Sequence, residues 1–111
     1  MGEAEDLFRI RGRVDGLQFD DEFLQHLAER ATYRKHVVSV AEILEAHARA
    51  PKYFLNSGSG RAPVIMVGVT TSGRCVVAPI EPTGRAGIWR PVTAFEANRH
   101  HQDRYEAVAT A

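Results

Sequence analysis

The chain has 111 residues and a mass of 12.3 kDa, with 44% apolar residues, 25% charged residues and a formal net charge of zero. That length suits one domain with one modest core, and no apolar run approaches the roughly 18 residues that a membrane-spanning helix needs. A lone cysteine, Cys75, excludes an internal disulfide and any multi-cysteine metal site.

The acidic start, residues 1–6, has neither the basic opening nor the apolar stretch of a secretory or transit peptide, so a cytoplasmic location is expected. Next, Phe8, Ile10, Gly12 and Val14 alternate with Arg9, Arg11 and Arg13, a period of two that predicts a short basic strand. Like charges on one face suit a solvated edge strand more than an RNA-binding ridge.

Asp20 has the position of an N-cap and Phe19 and Leu24 those of a hydrophobic staple. With the stripe Phe23, Leu24, Leu27, Ala28 and Ala31, they predict a first helix over residues 21–33. Ser39 and Glu42 are spaced as a capping box, with Val38 and Ile43 placed to staple, which predicts a second helix running to about Arg49 and ended by Pro51.

Strand patterns then follow over residues 52–56, 62–69, 74–80 and 88–92, separated by turn-rich breaks at 57–60, 71–73 and 81–87. Four strands with short connections predict an antiparallel meander. The unbroken apolar runs Val64 to Val67 and Val76 to Ala78 predict central strands covered on both faces. Thr93 and Glu96 repeat the capping-box spacing and predict a closing helix with Ala97, His101, Arg104, Tyr105 and Val108 on one side. The expected class is α+β: two N-terminal helices and one C-terminal helix packed on a sheet of about four strands.

Neutrality hides an asymmetry. Residues 1–50 carry 7 basic and 10 acidic groups, and residues 51–111 carry 7 basic and 4 acidic ones. Phosphate binding follows the local field, so a neutral chain with a cationic end is compatible with RNA, at modest affinity for bulk nucleic acid.

Three blocks carry a resemblance to a known family: Lys35 and His36 with Val40, Ala41 and Glu42; Arg61 to Gly68 with Gly73 and Arg74; and Arg90 through Tyr105. In this order they resemble the BrnT family of toxins, small members of the RelE-like ribonuclease superfamily found in type II toxin–antitoxin modules. The resemblance spans about residues 19–105. It departs from the family pattern at Val37, where a glycine is expected, at Thr32, where an asparagine is expected, and at Phe95, where an arginine is expected. The extension 1–18 and Pro91 also lie outside it.

What the resemblance implies is metal-independent RNA cleavage without a cofactor, an acidic antitoxin as protein partner, RNA as substrate and a homodimer or hetero-oligomer. In that chemistry a 2′-hydroxyl attacks its neighbouring phosphate, which requires a base, an acid and cations on the non-bridging oxygens. Arg90 and Arg61 are expected to clamp those oxygens, Lys35 to add a point charge, His36 to carry the proton and Tyr105 to orient or protonate. Arg74, Arg99 and Arg104 are expected to contact RNA, and Phe95 either leaves a hole in the site or hands the role of the replaced arginine to Arg99 or Arg104. The five expected catalytic residues have plainer alternatives: Arg90 paired with Glu42 or Glu96, Arg61 on an exposed strand, Lys35 solvated at a helix end, His36 hydrogen-bonded in a structural role, and Tyr105 in the core. In the other class of reading, the fold survives as a non-catalytic protein-interaction module and Phe95 marks lost chemistry.

No helical histidine pair has the i, i+4 spacing of a zinc site, and His100 and His101 are neighbours pointing about 100° apart on a helix. Gly58 and Gly60 do not precede a helix, so a phosphate-cradling nucleotide motif is not expected.

Overall fold

The computed structural model describes residues 14–33, 37–56 and 61–109. In chain order these form β1 (Gly16–Leu17), α1 (Asp21–Tyr33), α2 (Val40–Ala48), β2 (Lys52–Leu55), β3 (Val64–Val69), β4 (Cys75–Pro82), β5 (Ile88–Pro91), β6 (Phe95–Glu96) and α3 (Arg99–Ala109). The fold is α+β. Strands β2 to β5 make the antiparallel meander, in the sheet order β1-β5-β4-β3-β2.

The sheet exceeds the four strands expected. β1 pairs with β5 in parallel, Gly16 opposite Ile88 and Leu17 opposite Trp89, which makes the sheet mixed. The strand expected from the arginine alternation falls mostly on residues 1–13, outside the described residues, and the described pairing begins beyond it.

β6 is the larger correction. Thr93 and Glu96 do not cap a helix; Phe95 and Glu96 pair with Val77 and Val76 of β4, and the Ala97 amide donates to the Cys75 carbonyl at 3.0 Å. Asn98 takes the cap instead, its Oδ1 accepting from the His101 amide at 3.0 Å. Backbone pairing to an existing strand outcompetes a local cap that satisfies only two donors.

β5 and β6 lie along the same edge of β4, with one extra residue between them. Ile80 faces Pro91 and Val77 faces Phe95, so three steps along β4 match four along its partner. This is the arithmetic of a β-bulge. Val92 still donates to the Pro79 carbonyl at 2.8 Å, and Arg30 of α1 takes up the rest: its Nη1 donates to Thr93 Oγ1 and to the Ala94 carbonyl, each at 3.1 Å.

Alternation along the strands sends side chains to two cores. On one face Tyr53, Val64, Met66, Val76, Ala78 and Ile80 meet Phe23 and Leu27 of α1 and Ile43 and Ala46 of α2. On the other, Phe54, Val67 and Val77 meet Ala97, with Ile65, Cys75, Phe95 and Tyr105 packed around them. The central strands are therefore covered on both faces, as their unbroken apolar runs predict.

Both helix starts on the first face form as expected. Asp20 Oδ1 accepts from the Phe23 amide at 3.0 Å, and Ser39 and Glu42 complete a reciprocal capping box above the fully buried Val38 and Ile43. The Phe19–Leu24 staple does not form: Leu24 stays 40% exposed, and Phe19 lies against Phe23 with ring centroids 5.8 Å apart. α2 sits so close to β3 that a Cβ on Gly68 would stand 2.9 Å from Ala46 Cβ, so this strand position requires glycine.

An arginine pair on one carboxylate beside a groove

Glu81 organises the end of the sheet where β4 and β5 meet. It falls in the stretch expected to be a break, yet β4 continues through it to Pro82 and sets Glu81 directly across from Arg90. Sequence reading missed it. The available signal was an opposite-charge pair closing a hairpin, masked by the adjacent Pro82, which tolerates a strand end where its missing donor is not needed.

Glu81 Oε1 receives two guanidinium groups. Arg90 Nε donates to it at 2.7 Å, and Arg61 Nη2, arriving from the segment before β3, donates to the same oxygen at 2.7 Å. Arg61 Nη1 also donates to Glu22 of α1 at 3.2 Å, and the α1 cap Asp20 lies 4.0 Å from Arg90 Nε. Glu81 is largely covered by this pair, with 12% of its side chain exposed. The hydrogen bond from Arg61 holds its carboxyl below the usual carboxylate range, opposed by burial and reinforced by Arg90. The same partnership, led by the Glu81 hydrogen bond, raises the Arg61 pKa further above its ordinary value.

The geometry leaves donors in hand. Arg90 is held through Nε, and neither of its terminal nitrogens has a hydrogen bond among the described residues; its side chain is 35% exposed. An arginine fixed at its inner nitrogen with its outer edge open is oriented for end-on, two-point contact with an oxyanion.

Beside the pair, α1 and the β5–β6 bulge enclose a groove of about 610 Å³ lined by Asp20, Glu22, Phe23, Gln25, His26, Glu29, Arg61, Pro91, Val92 and Thr93. Arg90 is not part of the lining but is joined to it, lying 4.0 Å from Asp20 and sharing Glu81 with Arg61. His26 Nε2 lies 3.2 Å from Thr93 Oγ1 across the groove. Carboxylates outnumber cations on the lining, with Asp20, Glu22 and Glu29 set against Arg61.

The remaining expected site residues lie elsewhere. Arg74 is seven residues from Glu81 along the strand direction, roughly 23 Å at about 3.3 Å per residue. There its Nη1 binds both Glu42 oxygens, at 3.0 and 2.9 Å, and the Val37 carbonyl at 3.3 Å, with Glu96 at 3.5 Å from Nη2. Arg74 is thus a structural tie between α2, β4 and β6. Glu42 is pushed upward by burial, but the Ser39 backbone and Arg74 hydrogen bonds outweigh this and leave its pKa lowered.

Tyr105 and Arg104 do not join the arginine pair, because α3 packs over β2 and β3, whereas the pair sits where β4 and β5 meet. Tyr105 borders the second core, and the Arg104 guanidinium lies 4.3 Å from the centre of the Phe54 ring, a cation–π contact. Arg99 is exposed at the start of α3. Lys35 and His36 lie outside the described residues; Val37, the first described residue after them, has its carbonyl on Arg74. Arg90 pairs with Glu81, with Asp20 nearby, rather than with Glu42 or Glu96.

Among the described residues, no three of His, Cys, Asp and Glu are placed to share a metal ion. No helix of the described residues is long and apolar enough to cross a membrane. The fold and site together define an α+β domain with helices on both faces of a mixed sheet and an arginine pair at one end of it. No family model, curated protein or solved structure matches the chain.

Proposed function

We propose that this chain is a toxin-like domain acting on RNA, of the kind the BrnT-like blocks imply, and that Arg90 and Arg61 are its phosphate-binding pair. The observation that carries the reading is the sharing of one Glu81 oxygen by both guanidiniums, with the outer edge of Arg90 left open. Two residues distant in sequence, both expected to clamp one phosphate, meet within hydrogen-bond reach of a single atom. A groove of nucleotide dimensions adjoins them. An antitoxin-type partner and cleavage without a metal belong to the same proposal.

A second reading has its own observation. The carboxylates Asp20, Glu22 and Glu29 on the groove lining favour a cationic occupant, as expected of a protein-interaction module that binds a basic segment.

Induced expression of the chain alone tests the first reading. It should arrest growth, and Arg90→Ala should relieve the arrest while the protein accumulates in folded form. Normal growth with abundant folded wild-type protein favours the interaction module.

A further inference from the structure

The RNA reading needs a group that takes the proton from the attacking 2′-hydroxyl. Among the described residues the groove has one imidazole, His26, and its setting is specific. α1 carries it at the position one turn after Glu22 and one turn before Arg30. The bulge between β5 and β6 brings Thr93 across to it, so that Nε2 is 3.2 Å from Thr93 Oγ1. Thr93 is itself fixed, because Arg30 Nη1 donates to the same hydroxyl at 3.1 Å and to the Ala94 carbonyl at 3.1 Å. The chain therefore spends an extra strand residue and an arginine on holding one exposed histidine by one nitrogen. Nδ1 has no hydrogen bond among the described residues.

The geometry points to His26 as a catalytic base for phosphodiester transesterification in this groove, with Thr93 as its positioning residue; the inference rests on the proposed action on RNA. Neutral His26 accepts the 2′-hydroxyl proton at Nδ1 as the 2′-oxygen bonds to phosphorus. The bond from phosphorus to the 5′-oxygen breaks. The leaving oxygen takes a proton from water, and the resulting hydroxide is neutralised by the proton His26 returns to solvent. The products are a 2′,3′-cyclic phosphate and a 5′-hydroxyl.

The charged groups around the imidazole are Asp20, Glu22 and Glu29, with Arg30 and Arg61 opposing them.

The test uses the full chain, a single-stranded RNA oligonucleotide and its 2′-O-methyl counterpart, which binds but cannot react. Wild type should cleave the first. His26→Gln should lower the rate by about a hundredfold or more, as expected for loss of a general base. Its affinity for the 2′-O-methyl strand should stay within about twofold, because a neutral imidazole adds no phosphate contact. Thr93→Val should lower the rate and Thr93→Ser should restore it. If wild type cleaves and His26→Gln cleaves as fast, or loses binding along with rate, the assignment of His26 is overturned while the proposed function stands. If folded wild type cleaves nothing, both fall.

Discussion

Arg61 and Arg90, 29 positions apart in sequence, each place a guanidinium nitrogen 2.7 Å from the same atom, Glu81 Oε1. One carboxylate thus sets the distance between two cations, and a second anion approaching them meets a preformed pair.

Glu81→Gln should expose that pairing energetically. The substitution keeps the shape and removes the compensating charge, so two guanidiniums stand close together without a counter-ion. Stability should fall by about 1–3 kcal/mol, the usual cost of losing a charged hydrogen-bond partner, read from denaturant midpoints. Inorganic phosphate should then stabilise the variant more than the wild type, because anion binding replaces the missing charge.

Acid should weaken the fold through Glu81 and Glu42. Both carboxyls have folded-state pKa values below the ordinary 4.5. A depressed carboxylate contributes its full stabilisation above the unfolded value and loses it as pH falls through the folded one. The contribution of these two carboxyls, read by urea unfolding, should therefore decline as pH drops below 4.5, and the double variant Glu42→Gln, Glu81→Gln should flatten that part of the decline. His101 adds a separate step: burial foremost, then His100 and Arg104, lower its pKa from 6.5. Its neutral form favours the fold, so stability should begin to drop as pH falls below 6.5, and His101→Gln should remove that step.

The reassigned cap of α3 is open to a direct comparison. Asn98→Ala should cost about 1 kcal/mol, typical of losing an N-cap side chain, whereas Thr93→Val should leave α3 intact. Amide exchange in residues 99–102 reads the difference. Faster exchange in the Thr93 variant alone would restore the capping box read from the sequence.

Gly68→Ala should destabilise the fold by about 1–3 kcal/mol, the usual range for overpacking. The added methyl meets Ala46 Cβ at 2.9 Å and the Ala46 carbonyl oxygen at 3.0 Å, and the backbone of α2 has nowhere to yield without leaving β3 and β4. Thermal unfolding checks it.

Much of this fold was legible where the signal is local. The starts of α1 and α2 follow from Asp20, Ser39 and Glu42, whose side chains act within three residues. The meander follows from turn residues and apolar runs. What sequence reading missed was decided at long range. Phe95 and Glu96 became a strand because β4 offers them partners at Val77 and Val76, and β1 joins the sheet by pairing with a strand some seventy residues away. The convergence of Arg61 and Arg90 was expected. The carboxylate joining them was not, because Glu81 stands beside a proline in a stretch that reads as a turn. Tyr105 and Arg104 were expected at the same site, and the helix that carries them packs over β2 and β3, away from the β4–β5 end.

The most direct measurement is the cleavage of single-stranded RNA by the purified full chain, followed alongside Arg90→Ala and Arg61→Ala. The account predicts fragments ending in 2′,3′-cyclic phosphate from the wild type, with each variant slower by about a hundredfold, the typical loss on removing one donor to the reacting phosphate. Intact RNA with folded wild type, or cleavage that both variants sustain undiminished, would contradict it.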